Sequence, residues 1–444
     1  MIVNNVASPF GNTLMIGTGP ASIHMAVDLS RGWCNQIGLL NRKSERSEKL
    51  KLELASSGNV ISTKVEVQSL EFGSGSAVIS QFYEGFDYVD NRWDTVVICT
   101  PCNSYASVVR SIDFAYLTKL TTIILLSPGL GSNLLVEHLL GENNDRIEVI
   151  SFSTYYGASI FPLSPQSETF INVLVKGLKR KVFIGSNKVG RFMPQHVNHF
   201  IVSHGINAEQ VEDPIEAECR SITTYVHPPF FINHFSLGEI FSPKRSTKFM
   251  YKLYPEGPIT QHVIATMIAL WKEISQLLSL MGARPINLLQ FLNDDNYPVH
   301  EQTLSRPDIE GFVDEDPIKQ NYLLYIRYTS ILIDPFSEPD EDGKYLDFSA
   351  FPYRTIKADT EGKWIIPRVP YEDYKKLKIM YGLGQRLGLS MTQSEQFIHL
   401  FEEKIHRFVY EDGYDLSDPS ITNDNSLEDV AIIWEQFCLK SSRI

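Results

Sequence analysis

Between residues 13 and 105, short apolar runs alternate with amphipathic or charged stretches. Thr13-Leu-Met-Ile16 predicts a strand, Pro20 to Leu29 a helix, and Asn35 to Leu40 a second strand. Arg42 to Ala55 predicts a charged helix. Val96-Val-Ile98 and Thr122 to Leu126 predict two further buried strands. This alternation is the signature of a parallel, doubly wound sheet with helices on its faces. Val149 to Ser153, Val173 to Val175 and Lys181 to Ile184 are expected to extend the same sheet. After about residue 205 the pattern changes to helical periodicity, in 261–282, 317–333 and 371–409. The expected architecture is α/β: an N-terminal Rossmann-type parallel sheet domain over 1–205, and a mostly α-helical C-terminal domain over 206–444.

Composition narrows the classes. A chain of 444 residues is too long for one core, which agrees with two domains. Residues 411–429 hold seven acids and no Lys or Arg, and read as an exposed loop before a last helix at 427–440. The net charge of −13 argues against nucleic acid as a partner, and requires any anionic ligand to be held by a local basic patch. No apolar run reaches the roughly 18 residues of a membrane span. Residues 1–30 lack the pattern of a signal peptide, so the expectation is a cytoplasmic protein without membrane partners. Five scattered cysteines fit a reducing compartment. Cys99-Thr-Pro-Cys102 has redox spacing, but it ends an apolar strand with no thioredoxin-like surroundings.

The chemistry begins at Gly17-Thr18-Gly19-Pro20-Ala21-Ser22, between a predicted strand and a predicted helix. Gly17 permits the tight turn, Gly19 lets backbone approach a pyrophosphate, and the small Ser22 allows close helix packing. The free N–H groups and dipole at the helix start attract the pyrophosphate charge. The second strand then selects the cofactor. An NAD site places an acid at its end to hold the ribose 2′-hydroxyl. Here Arg42 stands there, 25 residues after Gly17, followed by Arg46, Lys49 and Lys51. A guanidinium fork suits a phosphate, so the expected cofactor is NADPH/NADP. Thr100 and Pro101 end one later strand and Ser127 ends another, at the sheet edge where cofactors lie.

Four downstream segments stand out: Tyr225-Val-His227-Pro-Pro-Phe-Phe-Ile-Asn233, Tyr251-Lys252-Leu-Tyr254-Pro-Glu256-Gly-Pro-Ile-Thr260, Asn287 to Pro298, and Tyr325-Ile-Arg327-Tyr328 to Ser337. With the glycine loop, Ile150 to Gly157 and Asp347-Phe-Ser-Ala350, they resemble the opine dehydrogenases that make metallophores, the staphylopine, pseudopaline and yersinopine dehydrogenase group. The resemblance runs from about residue 12 to about residue 400. It implies NADPH reduction of an imine formed from an amine and an α-keto acid. The amine is an aminobutyrate-extended amino acid, often histidine-derived, supplied by a nicotianamine-synthase-like enzyme of the same pathway. The keto acid is pyruvate or 2-oxoglutarate, and the product is a secreted metal chelator. Helical second domains of this superfamily imply a homodimer.

The resemblance also assigns roles. A histidine in an apolar stretch is more often a packed core residue, but His227, followed by proline early in the second domain, matches the family's proton-transfer histidine. Asp334 is the candidate carboxylate that orients it, although Ile333-Asp334-Pro335 suits a turn or helix cap equally. On their own chemistry Arg327 and Lys252 are candidate cations for the keto acid carboxylate, against a reading as structural ion pairs, and Tyr254 and Glu256 lie in a Pro/Gly-bounded loop that can face the cleft. Ala158 replaces the acid that the staphylopine enzyme carries next to the glycine, which relieves repulsion of a second substrate carboxylate. His399, Glu402, Glu403 and His406 share a predicted helix face, yet their spacing lacks the HExxH pattern and reads as a solvated face, so no metal is expected. The fold alone also permits a hydroxy-acid dehydrogenase or a non-catalytic NADPH-sensing protein.

Overall fold

The strand at Asn12–Ile16 (β1) is buried along its whole apolar stretch, because it lies in the middle of a sheet covered on both faces. The computed structural model describes residues 8–66, 74–162, 169–252, 254–332, 351–417, 421 and 424–442. The chain forms two units, Met1–Arg220 with Glu435–Ile444, and Ser221–Trp434. The first unit therefore runs past residue 205.

In the first unit, β1 leads to α1 (Pro20–Leu29), β2 (Gln36–Asn41), α2 (Glu45–Ser56), β3 (Val60–Val65), β4 (Gly75–Val78), β5 (Gln81–Glu84) and β6 (Thr95–Ile98). Then come α3 (Tyr105–Arg110), β7 (Thr122–Leu125), α4 (Ser132–Leu139), β8 (Glu148–Phe152), β9 (Gly157–Ile160), β10 (Asn172–Leu178), β11 (Lys181–Ser186), α5 (Met193–Val202), β12 (Asn207–Val211) and α6 (Pro214–Cys219). The main sheet has the order β12-β11-β8-β7-β6-β1-β2-β5. Its pairs are parallel except β11 with β8. The chain crosses to β2 on one side of β1 and to β6 on the other, which places a topological switch point at the end of β1.

Two expectations change here. Val173 to Val175 does not extend the main sheet; β10 pairs with β3 and β9 in a separate four-stranded sheet, β4-β3-β10-β9. This smaller sheet packs on α1, whose residues from Ser22 to Leu29 are buried. Residues beyond 205 stay in the first unit because β12 pairs in parallel with β11. Helix α4 starts at Gly131, which has no side chain to cap it. Glu218 of α6 caps it from a distance, accepting from the N–H groups of Gly131 (2.8 Å) and Asn133 (2.7 Å) and from Ser151 Oγ (2.9 Å).

The second unit is mostly helical: α7 (Ile222–Phe231), α8 (His234–Ile240), α9 (Gln261–Leu280), α10 (Leu288–Gln290), α11 (Arg306–Glu310) and α12 (Pro317–Leu332). A two-stranded ribbon, β13 (Lys357–Ala358) and β14 (Trp364–Ile365), precedes α13 (Arg368–Arg386), α14 (Thr392–His406) and α15 (Ser426–Ser441), whose residues from Glu435 on belong to the first unit. Helix α9 is long and apolar enough to match a membrane span, but half of it is buried inside the unit, Ile264, Met267, Leu270 and Ile274 completely. Glu273 of α9 caps α14 by accepting from the N–H groups of Gln393 (2.6 Å) and Ser394 (2.9 Å). In both units a glutamate distant in sequence, buried Glu218 and half-buried Glu273, thus performs a capping task that the local sequence leaves undone.

Candidate active site

The glycine loop sits between the ends of β2 and β6. Gly17 N–H donates to Leu40 O (2.8 Å), and Cys99 N–H to Ile16 O (2.8 Å). Gly17 has φ +92°, and a Cβ there would meet Thr100 Cγ2 at 3.1 Å, so only glycine fits. Gly19 differs: a Cβ would find nothing within 4 Å, so its open side faces free space where a ligand can approach the backbone. Gly19 is also the N-cap of α1 and supplies no side-chain cap, leaving the first-turn N–H groups to an incoming anion. Pro20 and Ala21 follow in the first turn, half-buried.

Two buried hydroxyls beside the loop, Thr18 Oγ1 and Thr100 Oγ1, lack a hydrogen-bond partner among the described residues. Orphaned polar atoms at a helix start fit a bound pyrophosphate. Ser22 is buried and lies against the Cys99 thiol, which burial pushes up to about 12, so the thiol is protonated at neutral pH. Pro101 is exposed and Ser127 half-buried after β7.

Arg42 follows β2 directly and is exposed. The Glu84 carboxylate, whose residue pairs with Asn41 in register, is turned onto Ser47 Oγ (2.8 Å) and Lys51 (3.6 Å). The basic cluster then divides. Arg46 Nη2 donates to the loop carbonyl of Thr18 (3.1 Å), and its guanidinium lies over Phe170 (4.8 Å) and Phe161 (5.3 Å). Lys49 is paired with Glu45 at 2.7 Å on the exposed face of α2. Arg46 is therefore the helix cation that touches the loop. Ala158 lies exposed on β9 of the same unit.

In the second unit, α7 carries His227 between buried Tyr225 and buried Phe230. Its Nδ1 meets both carboxylate oxygens of Asp373 on α13, at 3.1 and 3.0 Å, and its ring stands edge-on to Phe231 at 5.0 Å. The His227 side chain is 17% exposed and that of Asp373 5%, so the carboxylate is buried while the imidazole keeps an edge open. A carboxylate on Nδ1 holds that nitrogen as N–H and leaves Nε2 to exchange protons.

Asp334, the expected partner, lies outside the described residues. Asp373 is not singled out by the sequence, in which it sits among the charged residues Glu372, Lys375, Lys376 and Lys378 of a predicted helical stretch. A signal was present: Pro370, Asp373, Tyr374 and Leu377 fall at i, i+3, i+4 and i+7, so Asp373 occupies an apolar stripe. Neighbouring Glu372 would be raised by burial alone, but Lys376 and Arg368 hold it at about 2.

The other expected substrate residues are placed differently. Arg327 is buried, with Nη2 donating to Leu292 O (2.6 Å) and Tyr297 O (2.8 Å). Through that one nitrogen it holds the turn after α10, while its buried Nε has no hydrogen-bond partner among the described residues. Tyr254 folds back on its own loop, accepting from Phe249 N–H at 3.1 Å. Lys252 is exposed over the Phe249 ring at 4.8 Å, and Glu256 is exposed. Tyr251 is the loop residue that packs near the histidine helix, against Phe231 (6.1 Å) and Phe230 (6.2 Å). Burial raises its phenol, with the nearby charge of Asp373 adding to the effect, so it keeps its proton. On α14, Glu402 accepts from Tyr374 Oη (2.7 Å) and Lys378 Nζ (3.0 Å).

Residues 11–437 match the family model of staphylopine dehydrogenase. The chain is 38% identical over 436 residues to the pseudopaline synthase of Pseudomonas aeruginosa, covering 98% of this chain and 99% of the relative. It is 36% identical over 391 residues to the staphylopine synthase of Staphylococcus aureus, covering 88% and 89%. Among solved structures, a yersinopine dehydrogenase with NADP+ bound superposes with a TM-score of 0.88 at 31% identity, over 97% of this chain and 99% of the other.

Proposed function

The chain belongs to the staphylopine dehydrogenase family, and from that premise we propose that it condenses an aminobutyrate-extended amino acid, histidine-derived, with an α-keto acid and reduces the product to an opine metallophore. It is an NADP-dependent oxidoreductase acting on a CH–NH group. The observation that carries the reading is the His227–Asp373 pair. Attack of a neutral amine on a keto carbon forms a C–N bond and requires an amine proton to leave. Expulsion of the carbonyl oxygen as water requires a proton to arrive. His227 Nε2 serves both transfers while Asp373 keeps Nδ1 protonated and the ring oriented. Tyr251, beside Phe231, narrows the surroundings of the ring and offers only an O–H.

The loop from Gly17 to Ser22 holds the pyrophosphate, with Thr18 and Thr100 as hydroxyl donors and Arg42 on the 2′-phosphate. When bound, the reduced nicotinamide supplies the hydride for the imine carbon. Ala158 leaves a position on β9 without charge, which supports acceptance of 2-oxoglutarate as well as pyruvate. The amine is drawn from a nicotianamine-synthase-like enzyme, and the working form is a cytoplasmic homodimer.

One experiment tests the reading: NADPH oxidation with a panel of amines against pyruvate and 2-oxoglutarate, for wild type and His227→Ala. The variant should bind NADPH normally and lose turnover by about 10³-fold. Near-normal kcat would remove His227 from its role, and a strong pyruvate preference in the wild type would overturn the reading of Ala158.

A further inference from the structure

Helix α1 has a polar interior that the loop chemistry leaves unused. His24 and Asp28 lie one turn apart on its buried face, with side chains 1% and 0% exposed. His24 Nε2 is 3.1 Å from Asp28 Oδ2, which also accepts from Tyr156 Oη at 2.8 Å. His24 Nδ1 is 2.5 Å from Tyr155 Oη, which is 3.0 Å from Ser159 Oγ on β9. Gly157 makes this close approach possible, since a Cβ there would lie 2.9 Å from Tyr155 Oη and 3.2 Å from His24 Cε1.

The network admits two positions of the Tyr155 hydroxyl proton. With His24 neutral, Nε2 lies 3.1 Å from Asp28 Oδ2 without forming a hydrogen bond, and Nδ1 accepts the Tyr155 O–H, which is then turned away from Ser159. With one proton added from solvent, Nδ1–H donates to the Tyr155 oxygen and the Tyr155 O–H turns to Ser159 Oγ. Hydroxyl hydrogens rotate and no heavy atom moves. Burial favours the neutral form and holds His24 below the ordinary histidine value, against the pull of Asp28 and with help from His204 and Arg31. Asp28 Oδ1 has no hydrogen bond among the described residues, and the Arg31 guanidinium stands 4.0 Å from it.

The groups facing His24 are Asp28 and Arg31 of its own helix, Tyr155 and Tyr156 before β9, and His204 after α5. His204 donates through Nδ1 to Phe200 O (2.7 Å) and reaches Asp28 at 3.4 Å only as the imidazolium. Burial opposes that charge, but Asp28 outweighs it and raises the His204 pKa. The Cys99 thiol at the end of β6 couples to both tyrosines, and Lys64 and Lys176 on the strands beneath α1 are exposed.

His24 lies four residues beyond Pro20, about 6 Å along the axis from the start of the helix that receives the pyrophosphate. Charges so close within protein are weakly screened. We propose that His24 takes up a proton when the dinucleotide binds, with the Tyr155 O–H turning from His24 to Ser159 so that the phenol oxygen accepts from Nδ1–H. His24 touches no cofactor atom in this scheme; it is a positioning residue whose charge reinforces the helix terminus.

The test is NADPH binding, followed by cofactor fluorescence between about pH 5.5 and 8 and by calorimetry in two buffers of different ionisation enthalpy. Wild type is compared with His24→Gln and Tyr155→Phe. The 2′-phosphate titrates near pH 6 in every sample, so the difference between proteins is the readout. Relative to His24→Gln, wild-type affinity should gain about fivefold on acidification, with uptake of about half a proton more near neutral pH. Tyr155→Phe keeps the imidazole but removes the acceptor for Nδ1–H, and should lose most of that difference. Parallel profiles and equal proton uptake in all three proteins would overturn the inference while leaving the cofactor assignment intact. Failure of the wild type to bind NADPH would overturn both.

Discussion

The glycine loop and the histidine pair differ in how their polar groups are satisfied. At the loop, the hydroxyls of Thr18 and Thr100 are buried with no partner among the described residues, and the first N–H groups of α1 have no side-chain cap. At the pair, His227 Nδ1 and both oxygens of Asp373 already complete one another. An unfilled set of donors is a binding site, since burying such groups is costly until a ligand arrives. A filled pair with one open ring nitrogen is a proton-transfer device, since its geometry must be set beforehand. On the proposed function, affinity and chemistry would reside in separate units of this chain and should fail separately.

The sharpest way to break the comparison is Asp373→Asn. An amide can donate to Nδ1 and fix the wrong tautomer, so kcat should fall about 10²- to 10³-fold with NADPH affinity within about twofold. Steady-state kinetics with a cofactor titration checks this, and equal losses in both would show that the units are not separable.

Gly17→Ala strikes the other side. The residue has φ +92° and its new Cβ would press on Thr100, so NADPH affinity should fall at least about tenfold and stability by about 1–3 kcal/mol. At saturating cofactor, kcat should stay within about threefold. A collapse of kcat with affinity preserved would reverse the roles assigned to the two regions.

The smallest effect sharpens the loop itself. Arg42→Ala should weaken NADPH by about tenfold and leave NADH unchanged, because only the 2′-phosphate loses a charge-assisted bond. Fluorescence titration with both cofactors separates the cases. A parallel loss would make Arg42 a general cation and transfer the phosphate to Arg46.

The sequence by itself determined the dinucleotide unit, because its information is local. A strand, two glycines and a helix start lie within about a dozen residues, and backbone geometry alone selects Gly17. It also isolated His227, through an unusual run of aromatic and proline neighbours rather than through spacing. Tertiary structure decided the rest. Asp373 stands 146 residues from His227, and only the packing of α7 against α13 brings the two together. The same holds for β10, whose apolar pattern states that it is buried but not in which sheet, since period-two alternation is identical in both. Arg327, Lys252 and Tyr254 carried suitable chemistry in sequence, yet a side chain's partners depend on what the fold sets beside it. Two main-chain carbonyls at 2.6 and 2.8 Å turned the first of these into a structural clamp.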